Sequence, residues 1–224
     1  MAARHSNFIV KADTAQVMAA IKKFEAIGGN SARAVQVGTN KALPRIKSMA
    51  SREIRKDVRL KAKYVNDRID VLKAGRNMQA VIKTPSRGML MSRYSTDTQI
   101  ANDTIRWIKA PPTPPRGIRI KIKPTGSTIT FNGDKDIQGK PFYLLLRNSR
   151  QIGIAGRRRK TGPNEGKFKV YHSPSLSQVF RQLILDGNPH GHRVLDEANK
   201  IYEAQVLDAI RYLTTKLRPP ADDT

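Results

Sequence analysis

The sequence predicts an α+β fold, in which an antiparallel β-sheet packs with a long C-terminal helix and basic N-terminal helices flank it. Three observations predict this class. Apolar residues alternate with basic or polar ones over 117–132 and 167–171, and short apolar runs lie at 142–146 and 151–155, which is typical of paired strands. Apolar residues recur three and four positions apart over 190–217, which indicates one long helix. A helical spacing with more basic residues recurs over 14–58.

An excess of basic residues dominates the composition. The 224 residues include 42 Lys and Arg against 18 Asp and Glu, a formal net charge of +24. Such a charge works against the compact state through self-repulsion unless a polyanion neutralises it. The excess is uneven, because 30–93 holds 16 basic residues and four acids whereas 186–224 holds five basic residues and seven acids. We therefore expect nucleic acid, an acidic protein surface, or both as partners. A basic domain without such a partner is the plainer alternative.

Several protein classes are disfavoured by what the sequence lacks. The chain has no cysteine, so neither disulfides nor thiolate chemistry is expected. No apolar run approaches the roughly 20 residues that span a membrane. The first ten residues hold no apolar segment long enough for a secretory signal. We expect a protein that is made and used in a cytosol, or in a particle assembled there, with no membrane partner.

Two helices are predicted in an N-terminal helical region over 1–60. The first follows a capping residue at 13–14 and ends at the Gly-Gly pair 28–29. The second runs over 30–58, and Pro44 inside it is expected to kink or split it. One face of the second helix is basic and has few acids for i,i+4 pairs. A partner is therefore favoured over plain solvation of that face.

The α+β core domain is predicted over 61–224 and is expected to form one structural unit with the helical region. It begins with a short helix over 63–70. Two strands follow over 71–72 and 78–82, around a turn that contains Gly75.

A Pro-rich loop is predicted over 85–116. Its first part, 85–98, lacks apolar periodicity and is expected to be mobile. A helical turn is expected over 102–108, and the prolines of 111–115 predict a stiff, extended spacer.

A β-hairpin over 117–132 gives the clearest strand pattern. Ile118 and Ile120 alternate with basic residues, and Ile129 and Phe131 alternate with threonines after a turn. We expect one apolar face and one basic, polar face. The basic residues of this hairpin are candidates for contact with nucleic acid or a protein partner: Arg119, Lys121 and Lys123.

A strand, a basic loop and a strand are predicted next, over 142–155 and 167–171. Eight basic residues and one acid lie within 147–169. Because buried unpaired cations cost several kcal/mol each, we expect the loop to be displayed, with Gly156 and Gly162 giving it mobility. We also expect the exposed face of the sheet to be basic along its length. The candidate partner-binding residues here are Arg157, Arg158, Arg159, Lys160, Lys167 and Lys169.

Two C-terminal helices are predicted, a short amphipathic one over 175–185 and a long one over 190–217. The charges of the long helix are balanced, as expected of a helix packed on a sheet or on a neighbouring subunit. Its apolar stripe is expected to supply much of the core and part of a subunit contact. The residues proposed for subunit packing are Ile201, Val206, Ile210 and Leu213.

Residues that could carry chemistry are few. His190 and His192 lack a third ligand nearby, so exposed histidines are favoured over a metal site. Ser173 beside His172 lies in no nucleophile motif. Asp134 and its neighbour Asp136 could chelate a divalent ion, but a nuclease needs several converging carboxylates. We expect no catalytic residue, no metal, no cofactor and no enzymatic activity.

The segment 139–213 resembles the minor tail protein Z family of long-tailed phages and prophages, also called tail completion proteins. GKPFYLLL is similar to the Gly-Lys-Pro strand of the family. QIGIAGRRRKTGPNEGKFKVYHSPSLSQVF resembles its strand, basic loop, strand and Pro-Ser helix start, and DEANKIYEAQVLDAIRYL is similar to its closing helix. NKALPRIKSMASREIRKDVRL resembles its early basic helix. Residues 85–115 depart from the family pattern, which leaves their role open.

The resemblance implies a structural virion protein of the tail or neck, assembled in the host cytoplasm. It implies a hexameric ring at the head-proximal end of the tail that helps to join head and tail. Its partners would be the tail terminator, tail tube or neck proteins, and the packaged DNA in the channel. One alternative is a sequence-independent nucleic-acid-binding protein that acts alone, with an affinity that falls steeply with salt. Another is a metal-dependent nuclease.

Overall fold

Helices and short antiparallel strands alternate along the chain in a computed structural model, which describes residues 15–75, 80–159, 167–184 and 189–217. The helices are α1 (Ala15–Ala26), α2 (Ser31–Asp57), α3 (Ala62–Asn66), α4 (Leu176–Ile184) and α5 (Pro189–Leu217), with a 3-10 helix at Met91–Tyr94. The strands are β1 (Asp70–Leu72), β2 (Val81–Lys83), β3 (Met89–Leu90), β4 (Ile118–Ile120), β5 (Ile129–Phe131), β6 (Ile137–Leu146), β7 (Gln151–Arg158), β8 (Phe168–Val170) and β9 (His172–Ser173). The predicted α+β class is confirmed.

All described strand pairs are antiparallel, as predicted, but they form four small sheets and not one continuous sheet. The sheets are β1–β2, β3–β9, β4–β5 and β6–β7–β8. The β4–β5 hairpin lies where the sequence placed it, with Ile118 opposite Phe131. Its outer edge bonds to an irregular segment, since Lys121 N donates to Tyr94 O at 2.8 Å. That segment occupies backbone groups that a neighbouring strand would need.

The described residues divide into two compact units that are interleaved along the sequence. The first contains 15–53, 66–85 and the chain from 180 onward, and the second contains 54–65 and 86–179. The sequence predicts a helical region over 1–60 and a core domain over 61–224 that form one structural unit, with a Pro-rich loop over 85–116. The second unit includes most of that loop and seven residues of the predicted helical region, 54–60.

The core of the first unit is formed by α1, α2 and α5. Val17, Phe24, Ala34, Val206 and Ile210 are buried in one cluster. Burying each of the larger apolar side chains stabilises the folded state by about 1.5–3 kcal/mol. The α1 helix ends where predicted, with the next glycine after it in the left-handed conformation that favours this residue type. The apolar residues of α5 pack against α1 and α2, which explains why they recur so regularly along this helix in the sequence.

Pro44 was expected to kink or split α2; the helix is continuous over Ser31–Asp57, so the split does not occur. The helix begins as predicted, because Asn30 Oδ1 accepts a hydrogen bond from Arg33 N at 2.9 Å. Pro44 is exposed. Water can therefore reach the backbone where the missing N–H of Pro44 removes a helical bond.

The segment 85–98 is packed in the second unit, so the expectation of a mobile loop is wrong. Tyr94 is 1% exposed and Ser92 is fully buried. Ser92 Oγ donates to Ile152 O at 2.6 Å, which fixes the 3-10 helix against β7. The helical turn expected over 102–108 is also absent, and that stretch consists of bends and irregular backbone. The 3-10 helix at Met91–Tyr94 is a single turn, which is too short to produce a recognisable helical period in the sequence.

The two C-terminal helices begin and end close to their predicted limits. Ser175 and Gln178 form a capping box at α4, with Gln178 N donating to Ser175 Oγ at 3.1 Å and Ser175 N donating to Gln178 Oε1 at 2.8 Å. The α5 helix runs uninterrupted over Pro189–Leu217. The capping residue predicted at 13–14 lies outside the described residues.

Candidate nucleic-acid or partner-binding surface

The β6–β7–β8 sheet has one buried face and one partly open face. Ile152, Ile154 and Tyr143 point to the buried face and are at most 7% exposed. The residues on the opposite face follow from the antiparallel register; Ala155 in the middle strand is fully buried there, whereas the larger side chains are half-buried or exposed. We call this opposite face the apolar sheet face; its larger side chains are Phe142, Leu144, Leu146, Phe168 and Val170.

The prediction that the exposed sheet face is basic along its length is therefore wrong for this sheet. The run of five apolar residues in β6 places apolar side chains on both faces, because alternate residues point in opposite directions. One cation, Arg157, shares the apolar sheet face with Phe168, its neighbour across the β7–β8 pair.

Four consecutive cations, Arg157, Arg158, Arg159 and Lys160, were predicted to lie in a displayed loop. The first of them lie inside the sheet. Arg157 and Arg158 belong to β7 and pair with β6. Arg159 N donates to Asp136 O at 3.1 Å, and Arg159 Nε donates to Ile137 O at 3.2 Å. Three of the four predicted loop cations are thus held by the β6–β7 end of the sheet. Lys160 and the glycine at 162 lie outside the described residues.

Arg157 and Phe168 form a cation–aromatic pair at the edge of the apolar sheet face. The guanidinium carbon of Arg157 lies 5.7 Å from the centroid of the Phe168 ring. Phe168 is 49% exposed and meets Phe142 edge to face at 5.5 Å between ring centroids. An exposed aromatic ring beside a guanidinium is an arrangement on which an unpaired base can stack.

Lys169 points to the other face and is bound to carboxylates of the same chain. Its Nζ forms an ion pair with Asp134 and lies 3.3 Å from Asp136 Oδ2. The hydrogen bond from Lys169 lowers the pKa of Asp134, and Asp134 in turn raises the pKa of Lys169. The two acids that could have chelated a metal therefore bind a lysine, and Lys169 is a weaker candidate for phosphate contact than the sequence suggested.

The β4–β5 hairpin presents part of the predicted basic face. Arg119 and Lys123 are exposed, and Lys121 is half-buried. The hairpin is held near β8 by Phe131 and Tyr171, whose rings meet edge to face at 4.9 Å. The apolar face of the hairpin is only partly buried, since Ile129 is 51% exposed. Among the described candidates for partner binding, the exposed ones are Arg119, Lys123, Arg157, Arg159 and Lys167.

The four residues proposed for subunit packing differ in burial. Val206 is fully buried and Ile210 is 6% exposed, and both belong to the core cluster of the first unit. Their apolar surface is used within the chain, so a contact with a second copy would require them to leave that core. Leu213 packs partly against the same cluster, and Ile201 is half-buried.

A basic pocket in the second unit was not predicted from the sequence. Three cations, Arg59, Lys61 and Arg93, are among its lining residues, and its volume is about 150 Å³. The sequence predicts that Arg93 lies in a mobile loop, whereas in the structure Arg93 is buried, with 6% of its surface exposed. The one sequence signal was the apolar content of Met89-Leu-Met91 and Tyr94, which is high for a mobile segment.

The residues considered for catalysis or metal binding have structural contacts where they are described. His172 Nδ1 lies 3.1 Å from Val170 O, and Ser173 Oγ donates a hydrogen bond to Met89 O at 3.5 Å. In the described ranges, no group of three or more His, Asp or Glu side chains is placed to hold a metal ion. The side chains of His190 and His192 lie outside the described part.

Comparisons of the chain with protein-family models, with curated proteins and with solved structures found no match. Among the helices of the described ranges, none combines the length and the apolar character needed to cross a lipid bilayer.

Proposed function

We propose that the chain is a structural virion protein of a phage tail or neck, a tail completion protein. The observation that carries the proposal is the order of parts from β6 to α5. A Gly-Lys-Pro strand, a strand ending in arginines, a return strand, a Ser-capped helix and a long closing helix follow one another. This is the order on which the resemblance to the tail protein Z family rests.

The apolar sheet face supports an assembly role. Its half-buried side chains lie beside exposed Phe168, and apolar patches of this kind mark protein contacts. In the proposed role, copies of the chain form a hexameric ring at the head-proximal end of the tail. The ring binds the tail terminator, tail tube or neck proteins and faces the packaged DNA, and it is assembled in the host cytoplasm. This role needs no active site, metal or cofactor.

Removal of the gene from the phage or prophage that carries it tests this role. We expect full-length tails and filled heads that fail to join, and restoration of joined particles by a plasmid-borne copy. Electron microscopy of the lysate distinguishes these products. Normal numbers of joined, infectious particles without the gene would refute the proposal.

A sequence-independent nucleic-acid-binding protein that acts alone is the second candidate. The Arg157–Phe168 pair favours it, because an exposed ring beside a cation suits base stacking. Sizing at physiological salt separates the two candidates. A ring has a mass several times the 25.1 kDa of one chain, with tail proteins added where assembly requires them. A monomer under all these conditions that binds random-sequence DNA supports the second candidate.

A further inference from the structure

The basic pocket of the second unit lies between the α2–α3 connection and the segment that follows the 3-10 helix. Both segments belong to the same compact unit. The connection is tied to the segment that follows β4 by a hydrogen bond of 2.7 Å from Arg59 N to Ile122 O. The residues that line the pocket are Arg59, Leu60, Lys61, Tyr64, Arg93, Ser95, Thr98 and Ala101.

Arg93 forms the buried wall of the pocket and is held in a fixed orientation. Its Nη1 donates to Ala101 O at 3.4 Å, and its Nη2 donates to Gln151 Oε1. The guanidinium carbon also lies 5.3 Å from the centroid of the Tyr64 ring. A guanidinium that is positioned before a ligand arrives loses little side-chain entropy on binding.

Arg59 and Lys61 place two further cations at the pocket. Arg59 is half-buried, with its Nη1 3.5 Å from Ser95 O, and Lys61 is exposed at the opening. The lining described here contains hydroxyl side chains and no carboxylate. The nearby acid Asp97 is not among the lining residues, and its Oδ1 accepts a hydrogen bond from Gln99 N at 2.9 Å.

We propose that this pocket binds a phosphate group. Arginine and lysine together recognise phosphate oxygens through charge-assisted hydrogen bonds. At about 150 Å³, measured for the centres of water-sized spheres, the pocket is about ten times the roughly 10–15 Å³ that holds one water molecule, which leaves room for a small tetrahedral oxyanion. The phosphate comes either from a free phosphate compound or from a nucleic-acid backbone. The site stands whether or not the chain is a tail protein.

Isothermal titration with inorganic phosphate, at constant ionic strength set by sodium chloride, tests the proposal. We expect saturable binding to the full chain at one site. The double variant Arg59→Gln, Lys61→Gln should bind phosphate about tenfold more weakly or worse, because it loses two charged partners. The matched control Lys22→Gln, Arg45→Gln removes two exposed cations elsewhere and should bind as the unchanged chain does.

Circular dichroism of each variant without phosphate checks that it is folded. Where the double variant is not folded, Lys61→Gln alone replaces it, and a loss of about threefold is expected. Absence of saturable phosphate binding, or an equal loss in the pocket and control variants, would overturn the proposal.

A competition arm identifies the source of the phosphate. A short duplex DNA is added to the phosphate-saturated protein. Displacement of phosphate by the duplex, lost in the pocket variant, assigns the pocket to a nucleic-acid backbone. Retention of phosphate in the presence of excess duplex assigns it to a free phosphate compound. Both results support a phosphate site and differ only in its ligand.

Discussion

Gly156 lies directly against Ile137 in the β6–β7 pair, so that a Cβ atom at Gly156 would stand 2.6 Å from Ile137 Cγ2. Gly156 is buried and within β7. The glycine before the arginines is therefore required by packing and does not act as a hinge.

Replacement of Gly156 by Ala should destabilise the protein by about 1–3 kcal/mol, the usual cost of overpacking. Urea unfolding measures the change in free energy. The same substitution in an Ile137→Ala background should cost less, because the truncated neighbour leaves room for the new methyl group. Equal costs in the two backgrounds would show that the close approach does not limit this position.

The Lys169–Asp134 pair should make stability depend on pH in the acid range. The pKa of Asp134 is lowered in the folded protein, so its contribution is present above its unfolded pKa of about 4 and is lost as the pH falls through the folded pKa. Lys169→Gln should therefore flatten the fall of the melting temperature with decreasing pH below about 4. Lys123→Gln, an exposed lysine in the hairpin, is the control. Identical pH profiles for the Lys169 variant and the unchanged chain would contradict the linkage.

Phe168→Ala should weaken binding of random-sequence single-stranded DNA by about 1–3 kcal/mol if the ring stacks on a base. The fold should be little affected, because Phe168 is 49% exposed. Fluorescence anisotropy with a labelled oligonucleotide measures the affinity, and the exposed Ile129 offers a matched control as Ile129→Ala. Unchanged DNA affinity of the Phe168 variant would assign the Arg157–Phe168 pair to protein contact or to solvent.

Val206→Asp should unfold the chain or reduce its soluble yield severely. Val206 is fully buried in the cluster of α1, α2 and α5, and an unpaired buried charge costs several kcal/mol against a typical total stability of about 5–15 kcal/mol. Ala204→Asp lies on the exposed side of the same helix and should fold normally. Circular dichroism and thermal melting compare the two variants. A folded Val206→Asp protein would mean that α5 does not use this residue in the core.

The helices and strands with a strong period could be predicted from the sequence. The repeat over α5 and the alternation in β4 reflect burial on one side of each element, and this pattern is visible without a structure. The 3-10 helix at Met91–Tyr94 could not be predicted, since its burial depends on a hydrogen bond to distant Ile152. The separation into four sheets likewise depends on which edges meet, and local sequence does not encode that directly.

The exposure of the candidate residues was predicted more accurately than their arrangement. Arg157 and Arg119 are exposed as expected. Lys169 was expected to face a partner, but its ion pair with Asp134 joins residues 35 positions apart and leaves no local signal. Arg59 and Arg93 are also far apart in the sequence, although both line the basic pocket. Neither segment alone therefore indicates that the two cations lie together.

The position of the chain in purified phage particles tests the proposed role most directly. Immunogold labelling of an epitope-tagged copy, in particles shown to be infectious, locates it by electron microscopy. We predict a single cluster of gold at the head-proximal end of each tail, and labelling at that same end in tails that have not joined a head. Gold that is absent from purified tails and joined particles, with the tagged chain recovered only in the soluble fraction, would contradict the proposed role.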